Sequence, residues 1–390
     1  MQYRKFGRDG WKGSVLGFGA MRLPTMSNGS DIHEQEAIQM IRHGIDNGVN
    51  YIDTAYMYHN GESEVIVGRA LRDGYREKVR VATKSPGHLI KSPGDFDKIL
   101  DEQLKRLDMP YVDYYLFHGI GNSGLEQIKT LGLFRKMEDA VRDGRVKHSG
   151  FSFHDDLNAF KRIVDSYDWE FCQIQFNYMD TKNQAGTEGL RYAANRGISV
   201  VIMEPLLGGR LARPPQPVAQ LFSESGSSRS AADWALHWIW NHPEVSIVLS
   251  GMSNMEQVRQ NIAAAESAVP GMLSSGEISV VKRVQQEFAS RTIIPCTKCR
   301  YCMPCPSGVD IPWNLEQYNE GIIYGDPGSP RFVYNTFIKP ENRASQCSGC
   351  QICLEKCPQK INAGDWMPLI EAVLGEGKPY PEDDMKTCVN

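Results

Sequence analysis

Two hydrophobic periodicities alternate along the first two thirds of the chain. Short runs rich in β-branched and aromatic residues, at 14–18, 50–53, 80–83, 112–117, 148–151, 171–176, 199–203 and 246–249, read as buried strands. Between them the spacing predicts amphipathic helices at 34–47, 62–72, 96–107, 128–143, 157–165, 188–195, 231–241 and 255–265. In the first of these helices Ala37, Ile38, Ile41 and Ile45 share one face, as a helix packed on a sheet requires. Glycine stops close four of them, at Gly48, Gly74, Gly144 and Gly197. Eight β-then-α units over about 265 residues predict an α/β fold of the closed (β/α)8 type, a TIM barrel. Ahead of the barrel, Arg8-Asp-Gly10 between Phe6 and Trp11 predicts a hairpin plugging its bottom. The rival fold, a doubly wound sheet, is disfavoured because Gly17-Phe-Gly19 lacks the third glycine and the later acidic residue of a dinucleotide fingerprint. The proline- and serine-rich stretch at 213–230 reads as a surface loop.

Composition narrows the function classes. Lys and Arg number 43 against 47 Asp and Glu, a net charge of −4, which argues against a partner held by phosphate contacts, so no nucleic acid is expected. No apolar run reaches the length of a membrane span, and the first residues, Met1-Gln-Tyr-Arg-Lys-Phe-Gly7, carry no signal-peptide core. A cytoplasmic protein with no membrane partner is expected. Cysteine placement then divides the chain. Of ten cysteines, eight fall between Cys296 and Cys357, while Cys172 and Cys388 stand apart. That distribution does not suit a disulfide framework and points to metal. The expected domains are a barrel over 1–272, a bridging helix and linker over 273–295, and a smaller, mostly helical cysteine domain over 296–390. Ser274-Ser-Gly-Glu277 reads as a capping box opening the bridge, which Pro295 ends.

In a barrel the chemistry gathers at the C-terminal ends of the strands. Asp53, Tyr58, Lys84 and His118 fall at or just beyond the ends of successive predicted strands. Tyrosine is a weak acid at neutral pH, and a neighbouring ammonium such as Lys84 favours its phenolate. Asp53 can hold Lys84 by an ion pair, and His118 can orient a carbonyl or relay a proton. Tyr58 then protonates a carbonyl oxygen while hydride arrives at carbon. Arg22, just after the first strand, is a lesser candidate for an acidic substrate or cofactor. Trp234, Trp238 and Trp240, at helical spacing, read as packing, and His148 as structural.

The run Gly48-Val-Asn-Tyr-Ile-Asp53-Thr-Ala-Tyr-Met-Tyr58 with Gly61-Glu-Ser-Glu64, Lys84 in Val81-Ala-Thr-Lys84 and His118 in Tyr114-Tyr-Leu-Phe-His118 resembles the aldo/keto reductases over about residues 1–290. The resemblance implies an Asp–Tyr–Lys–His site and an NADP(H) or NAD(H) cofactor extended across the barrel mouth. It implies cofactor contacts from Ser152 and Gln173 to the carboxamide, from Leu206 and Gly208 in a pyrophosphate-covering loop, and from Gly251, Ser253, Gln257 and Asn261 at the adenosine end. Phe153 stands where the family has an asparagine, and Met203 where many members stack an aromatic on the nicotinamide. Gln257 falls where NADPH-preferring members often carry arginine, which leaves NADPH or NADH open.

The tail holds Cys347-Ser-Gly-Cys350-Gln-Ile-Cys353-Leu-Glu-Lys-Cys357-Pro358, the bacterial ferredoxin spacing. Cys296-Thr-Lys-Cys299-Arg-Tyr-Cys302-Met-Pro-Cys305-Pro306 repeats it with the last gap shortened. Two [4Fe-4S] clusters are expected, one on Cys296, Cys299, Cys302 and Cys357, the other on Cys347, Cys350, Cys353 and Cys305. Zinc would need cysteine pairs held apart by a longer loop. The pattern resembles the C-terminal ferredoxin domain of a subset of aldo/keto reductases.

Three functions follow from these parts. The first is NAD(P)H-dependent reduction of an aldehyde or ketone, or the reverse alcohol oxidation, with the two clusters in a structural or an electron-transfer role. The second is an iron–sulfur electron-transfer protein coupling a redox partner to the barrel. That second function needs a splitter of electron pairs such as a flavin, for which no motif is visible. The third is a cofactor-sensing barrel that docks a partner, and an intact tetrad argues against it.

Overall fold

The computed structural model describes residues 1–26, 31–296, 298 and 300–382. The chain forms two compact units, residues 1–208 with 233–274, and residues 209–232 with 275–390.

The first unit opens with an antiparallel hairpin of β1 (Tyr3–Lys5) and β2 (Lys12–Ser14), Tyr3 opposite Ser14. Eight parallel strands then close a barrel: β3 (Leu16–Gly19), β4 (Tyr51–Asp53), β5 (Arg80–Ser85), β6 (Val112–Ile120), β7 (Val146–Phe153), β8 (Phe171–Gln175), β9 (Ser199–Met203) and β10 (Val245–Ser250). They follow in chain order, and β10 returns to pair with β3 through Val248 opposite Leu16. All eight predicted strands are present.

Two apolar layers hold the barrel. Outside, strand residues such as Val81, Val112 and Ile174 meet the helices in one continuous core. Inside, Tyr51, Tyr114, Phe171 and Ile247 fill the lumen, and Phe6 from the hairpin caps them. Phe6 is fully buried, its ring centroid 5.0 Å from Tyr114 and 5.5 Å from Phe171, so the hairpin is the bottom plug that the sequence predicts. Gly150 makes room for this filling, since a Cβ there would fall 2.5 Å from the Phe171 ring. The tryptophans pack as expected: Trp240 is fully buried and donates to the Val15 carbonyl at 2.9 Å, and Trp238 lies 5.1 Å from Phe176. His148 is structural, its Nδ1 2.8 Å from Glu170 and its ring stacked on Tyr114.

Three helical expectations need correction. The single helix predicted at 128–143 is two, Asn122–Thr130 and Leu133–Arg142. Gly132 sits between them at φ +63°, a left-handed turn that breaks the helix. The helix predicted from 96 begins at Pro93, because Ser92 and Asp95 form a reciprocal capping box and proline suits the first turn. The loop predicted at 213–230 contains the helix Gln216–Ser223, which buries Val218 and Phe222 one turn apart and accommodates Pro217 in its first turn.

The second unit is helical. Its helices include Ser275–Ser290, Ile311–Ile323, Gly328–Thr336 and Ala363–Ile370. Ile294, Leu315, Tyr318, Tyr334 and Ile370 form its core, and the cysteines border it. Asp310 caps the helix Ile311–Ile323, accepting from the Trp313 N–H. Within this unit Glu277 forms an ion pair with Arg229. Among the described residues no helix is long and apolar enough to cross a membrane.

Candidate active site

β4 and β5 run side by side with Asp53 opposite Ala82, so Asp53 and Lys84 emerge together at the mouth. Both are buried, at 2 % and 1 % exposure. Lys84 Nζ donates to Asp53 Oδ1 at 2.5 Å, to the Thr54 carbonyl at 2.8 Å and to Tyr58 Oη at 3.2 Å. An ammonium has three protons, and this geometry commits all three. Tyr58 Oη therefore accepts from Lys84 and keeps its own proton for another acceptor. Tyr58 begins a short helical turn, Tyr58–Gly61, in which His59 and Asn60 take left-handed φ of 49° and 55°. That conformation is unfavourable for residues other than glycine, and such strain concentrates at functional sites. The His118 ring, at the mouth end of β6, stands edge-on to Tyr58 with centroids 6.1 Å apart.

Burial sets the charge states. It pushes the Tyr58 phenol above its usual 10, against the opposing pull of Lys84, with Asp53 and Glu204 adding to the rise. The pull toward phenolate expected from the Lys84 charge is thus outweighed by burial, and Tyr58 stays the protonated acid that the sequence reading requires. Burial also pulls on the Lys84 ammonium, but Asp53 and Tyr58 more than compensate and hold its pKa up. Asp53 is pushed up by burial and opposed by Lys84 and Gln173. At 2.5 Å the two remain an ion pair. Burial, reinforced by Lys84, His154 and His88, brings His118 down to about 3, so its imidazole is neutral at pH 7.

A buried polar set behind the site was not singled out by residue type. Glu64, fully buried, accepts from Thr83 Oγ1 and Gln103 Nε2, both at 2.6 Å, and from Arg106 at 3.2 Å. Gln103 Nε2 also donates to the Lys84 carbonyl at 3.1 Å. Ser63 Oγ lies 2.8 Å from Thr54 Oγ1 and donates to the Ala20 carbonyl, fixing the segment whose own carbonyl receives Lys84. The available signal was two polar residues inside the helix Glu62–Ala70, on the face that meets the barrel.

The expected cofactor contacts are spread over the strand ends. Gln173 lies opposite Ser152 in the barrel register and gives its amide nitrogen to Asp53 at 3.1 Å. Gln175, two residues on, is buried with its amide oxygen unpartnered. A buried acceptor without a partner at the end of β8 suits the amide of a nicotinamide. Ser152 Oγ accepts from the Gly119 N–H at 2.7 Å. Phe153 turns into the helix layer, 5.0 Å from Phe160, and is buried away from the mouth. Leu206 is half-buried, and Met203 ends β9 half-buried. Gly208 and Gly251 flank Arg22: Cβ atoms there would fall 3.3 Å from its Nη2 and its Cβ. Gln257 Oε1 accepts from the Ser253 N–H at 2.8 Å, and Asn261 is buried against Ser250 Oγ at 2.9 Å.

In the second unit Cys305, Cys347, Cys350 and Cys353 line one cavity together with Cys302. Cys296, Cys302 and Cys357 line another together with Cys353. Cys299 and Cys388 lie outside the described residues. Among the described residues no three His, Cys, Asp or Glu side chains converge on a single ion. The thiols are instead distributed around two spaces, with Cys302 and Cys353 on the walls of both. That distribution suits cubane clusters, whose corners hold thiolates apart.

Comparison with known proteins agrees with this architecture. A soybean protein named probable aldo-keto reductase 1 is 35 % identical over 156 residues, covering 38 % of this chain and 44 % of that protein. L-galactose dehydrogenase of Arabidopsis thaliana is 27 % identical over 288 residues, 68 % of this chain and 88 % of that enzyme. The solved aldo-keto reductase of Klebsiella pneumoniae in complex with NADPH superposes with a TM-score of 0.59 at 23 % identity, covering 73 % of this chain and 96 % of that one. A 4Fe-4S dicluster domain matches residues 295–362. The aldo/keto reductase family model matches residues 15–272, and with the closed barrel and its strand-end residues this chain is a member of the aldo/keto reductase family carrying a C-terminal iron–sulfur domain.

Proposed function

We propose that the protein is an NAD(P)H-dependent carbonyl reductase, acting on an aldehyde or ketone and, in reverse, on the alcohol. The observation that carries this reading is the Lys84 ammonium shared between Asp53 at 2.5 Å and Tyr58 at 3.2 Å, at the mouth of the barrel. When bound, the nicotinamide supplies a hydride to the carbonyl carbon. Tyr58 gives its proton to the carbonyl oxygen, and the fixed Lys84 charge stabilises the phenolate left behind. Asp53 holds Lys84 charged in a buried site. Neutral His118 donates an N–H that orients the oxygen and does not relay a second proton. Ser152 and Gln173 grip the carboxamide. Leu206, Gly208, Gly251, Ser253, Gln257 and Asn261 carry the rest of the nucleotide, with Arg22 between the two glycine loops. The NADPH in the Klebsiella relative supports a nucleotide of this type.

In the second unit, one [4Fe-4S] cluster is assigned to Cys296, Cys299, Cys302 and Cys357 and the other to Cys347, Cys350, Cys353 and Cys305. A second reading, favoured by the two thiol-lined cavities, has these clusters pass single electrons to a redox partner protein. Thiols of this kind stay reduced in the cytoplasm, where we place the protein.

Tyr58→Phe tests the reductase reading. The variant should bind NADPH with nearly unchanged affinity and lose about 10²–10⁴-fold in carbonyl reduction. Wild-type turnover by this variant would remove Tyr58 as the acid.

A further inference from the structure

The two cavities of the cysteine unit differ in charge. They share much of their wall: Ile311 and Ala363, the first residues of two helices, border both, so both receive the positive end of the same helix dipoles. The cavity of Cys305, Cys347, Cys350 and Cys353 has no charged residue other than cysteine among its described lining residues. The cavity of Cys296, Cys302 and Cys357 includes Arg300. Arg300 holds a left-handed φ of 61° between two cysteines of the first motif. Its counter-ion, Asp310, lies 3.4 Å from Nη2 and does not line the cavity. Among the described lining residues of the two cavities, Arg300 is thus the one cation, and its counter-ion is not among them.

We infer that Arg300 selectively raises the reduction potential of the cluster held by Cys296, Cys302 and Cys357, making the two clusters electrostatically inequivalent. This rests on the ligand assignment above. Each cluster takes one electron, from [4Fe-4S]²⁺ to [4Fe-4S]⁺, which adds one negative charge and moves no proton. A fixed cation beside it favours the reduced form, while the other cluster, without such a neighbour, responds little. The Arg300 side chain is 57 % exposed, so the effect is moderate and falls with salt.

The test uses the full-length protein, reconstituted anaerobically with iron and sulfide and titrated against a mediator-coupled electrode, with the reduced clusters read by EPR. Iron content and two one-electron waves in the wild type check the ligand assignment. Cys296→Ser identifies the wave of its cluster by deletion. In Arg300→Gln the reduced-to-oxidised ratio of that wave should fall roughly threefold to tenfold at fixed potential, about 30–60 mV for one electron. The other wave should stay in place. Arg300→Lys, which keeps the charge, should restore most of the shift, and high salt should shrink it. The inference is overturned if neither wave moves, if both move equally, if the wave surviving Cys296→Ser is the one that moves, or if Arg300→Lys shifts as far as Arg300→Gln. Failure of either Arg300 variant to load two clusters would assign Arg300 to assembly and also overturn it. A wild type without two waves would sink the ligand assignment itself.

Discussion

The barrel mouth and the cysteine unit solve the problem of holding charge in different ways. At the mouth, chemistry comes from the ends of separate strands, and the groups satisfy one another: Lys84 spends its protons on Asp53, Thr54 and Tyr58, while Glu64 and Gln103 brace the strand beneath it. In the cysteine unit the chemistry comes from two short sequence runs, and the thiols face two cavities from a core of isoleucines and tyrosines. A mouth built on mutual hydrogen bonds is preorganised by the fold. A unit built on thiols ties its folding to the metal it binds. Damage should therefore be read differently in each, as rate and stability together at the mouth and as iron content in the cysteine unit.

The largest effect beyond Tyr58 belongs to Lys84. Lys84→Met leaves Asp53 buried without its partner, which costs about 3–5 kcal/mol of stability and should abolish carbonyl reduction. Denaturant unfolding and turnover assays check both, and a stable, active variant would break the picture of a preorganised mouth. In the cysteine unit, Cys350→Ser should lose roughly half of the bound iron, since it removes one ligand of one of two cubanes. Unchanged iron by chemical assay would reject the ligand sets.

The pH profile sharpens the contrast. On the proposed mechanism reduction needs the acid form of Tyr58, and burial holds its pKa above 10, so the rate should persist through neutrality and fall only in strong alkali as the phenol ionises. With His118 brought down to about 3, no inflection should appear near pH 6.5. An inflection there would return His118 to a proton-relay role. The smallest expected effect is Ser152→Ala, which removes the acceptor of the exposed Gly119 N–H and costs about 0.5–1.5 kcal/mol. Thermal unfolding measures it, alongside a weakened grip on the nucleotide.

The barrel was legible because its strands are short, buried and rich in β-branched residues, and the mouth because Asp53, Tyr58, Lys84 and His118 sit at strand ends. Gly132 breaking a long amphipathic run was not legible, since the apolar repeat continues across it. The helix Gln216–Ser223 hid in a proline-rich stretch whose prolines lie where a first turn accepts them. The balance of forces on Tyr58 was half legible, because the ammonium of Lys84 is visible in the sequence, whereas the degree of burial opposing it is not. Glu64 and Gln103 were missed because a buried polar network declares itself only when its partners, dispersed along the chain, are brought together.

The central claim of the proposal is that the barrel mouth reduces a carbonyl by hydride transfer without drawing on the clusters. An anaerobic titration of the reconstituted protein with NADPH tests it, following cluster absorbance before and after a carbonyl substrate is added. The account predicts that NADPH binds without bleaching the clusters, because a hydride carries two electrons in one step, and that it is consumed only once the carbonyl is present. Bleaching of the clusters by NADPH alone would contradict it.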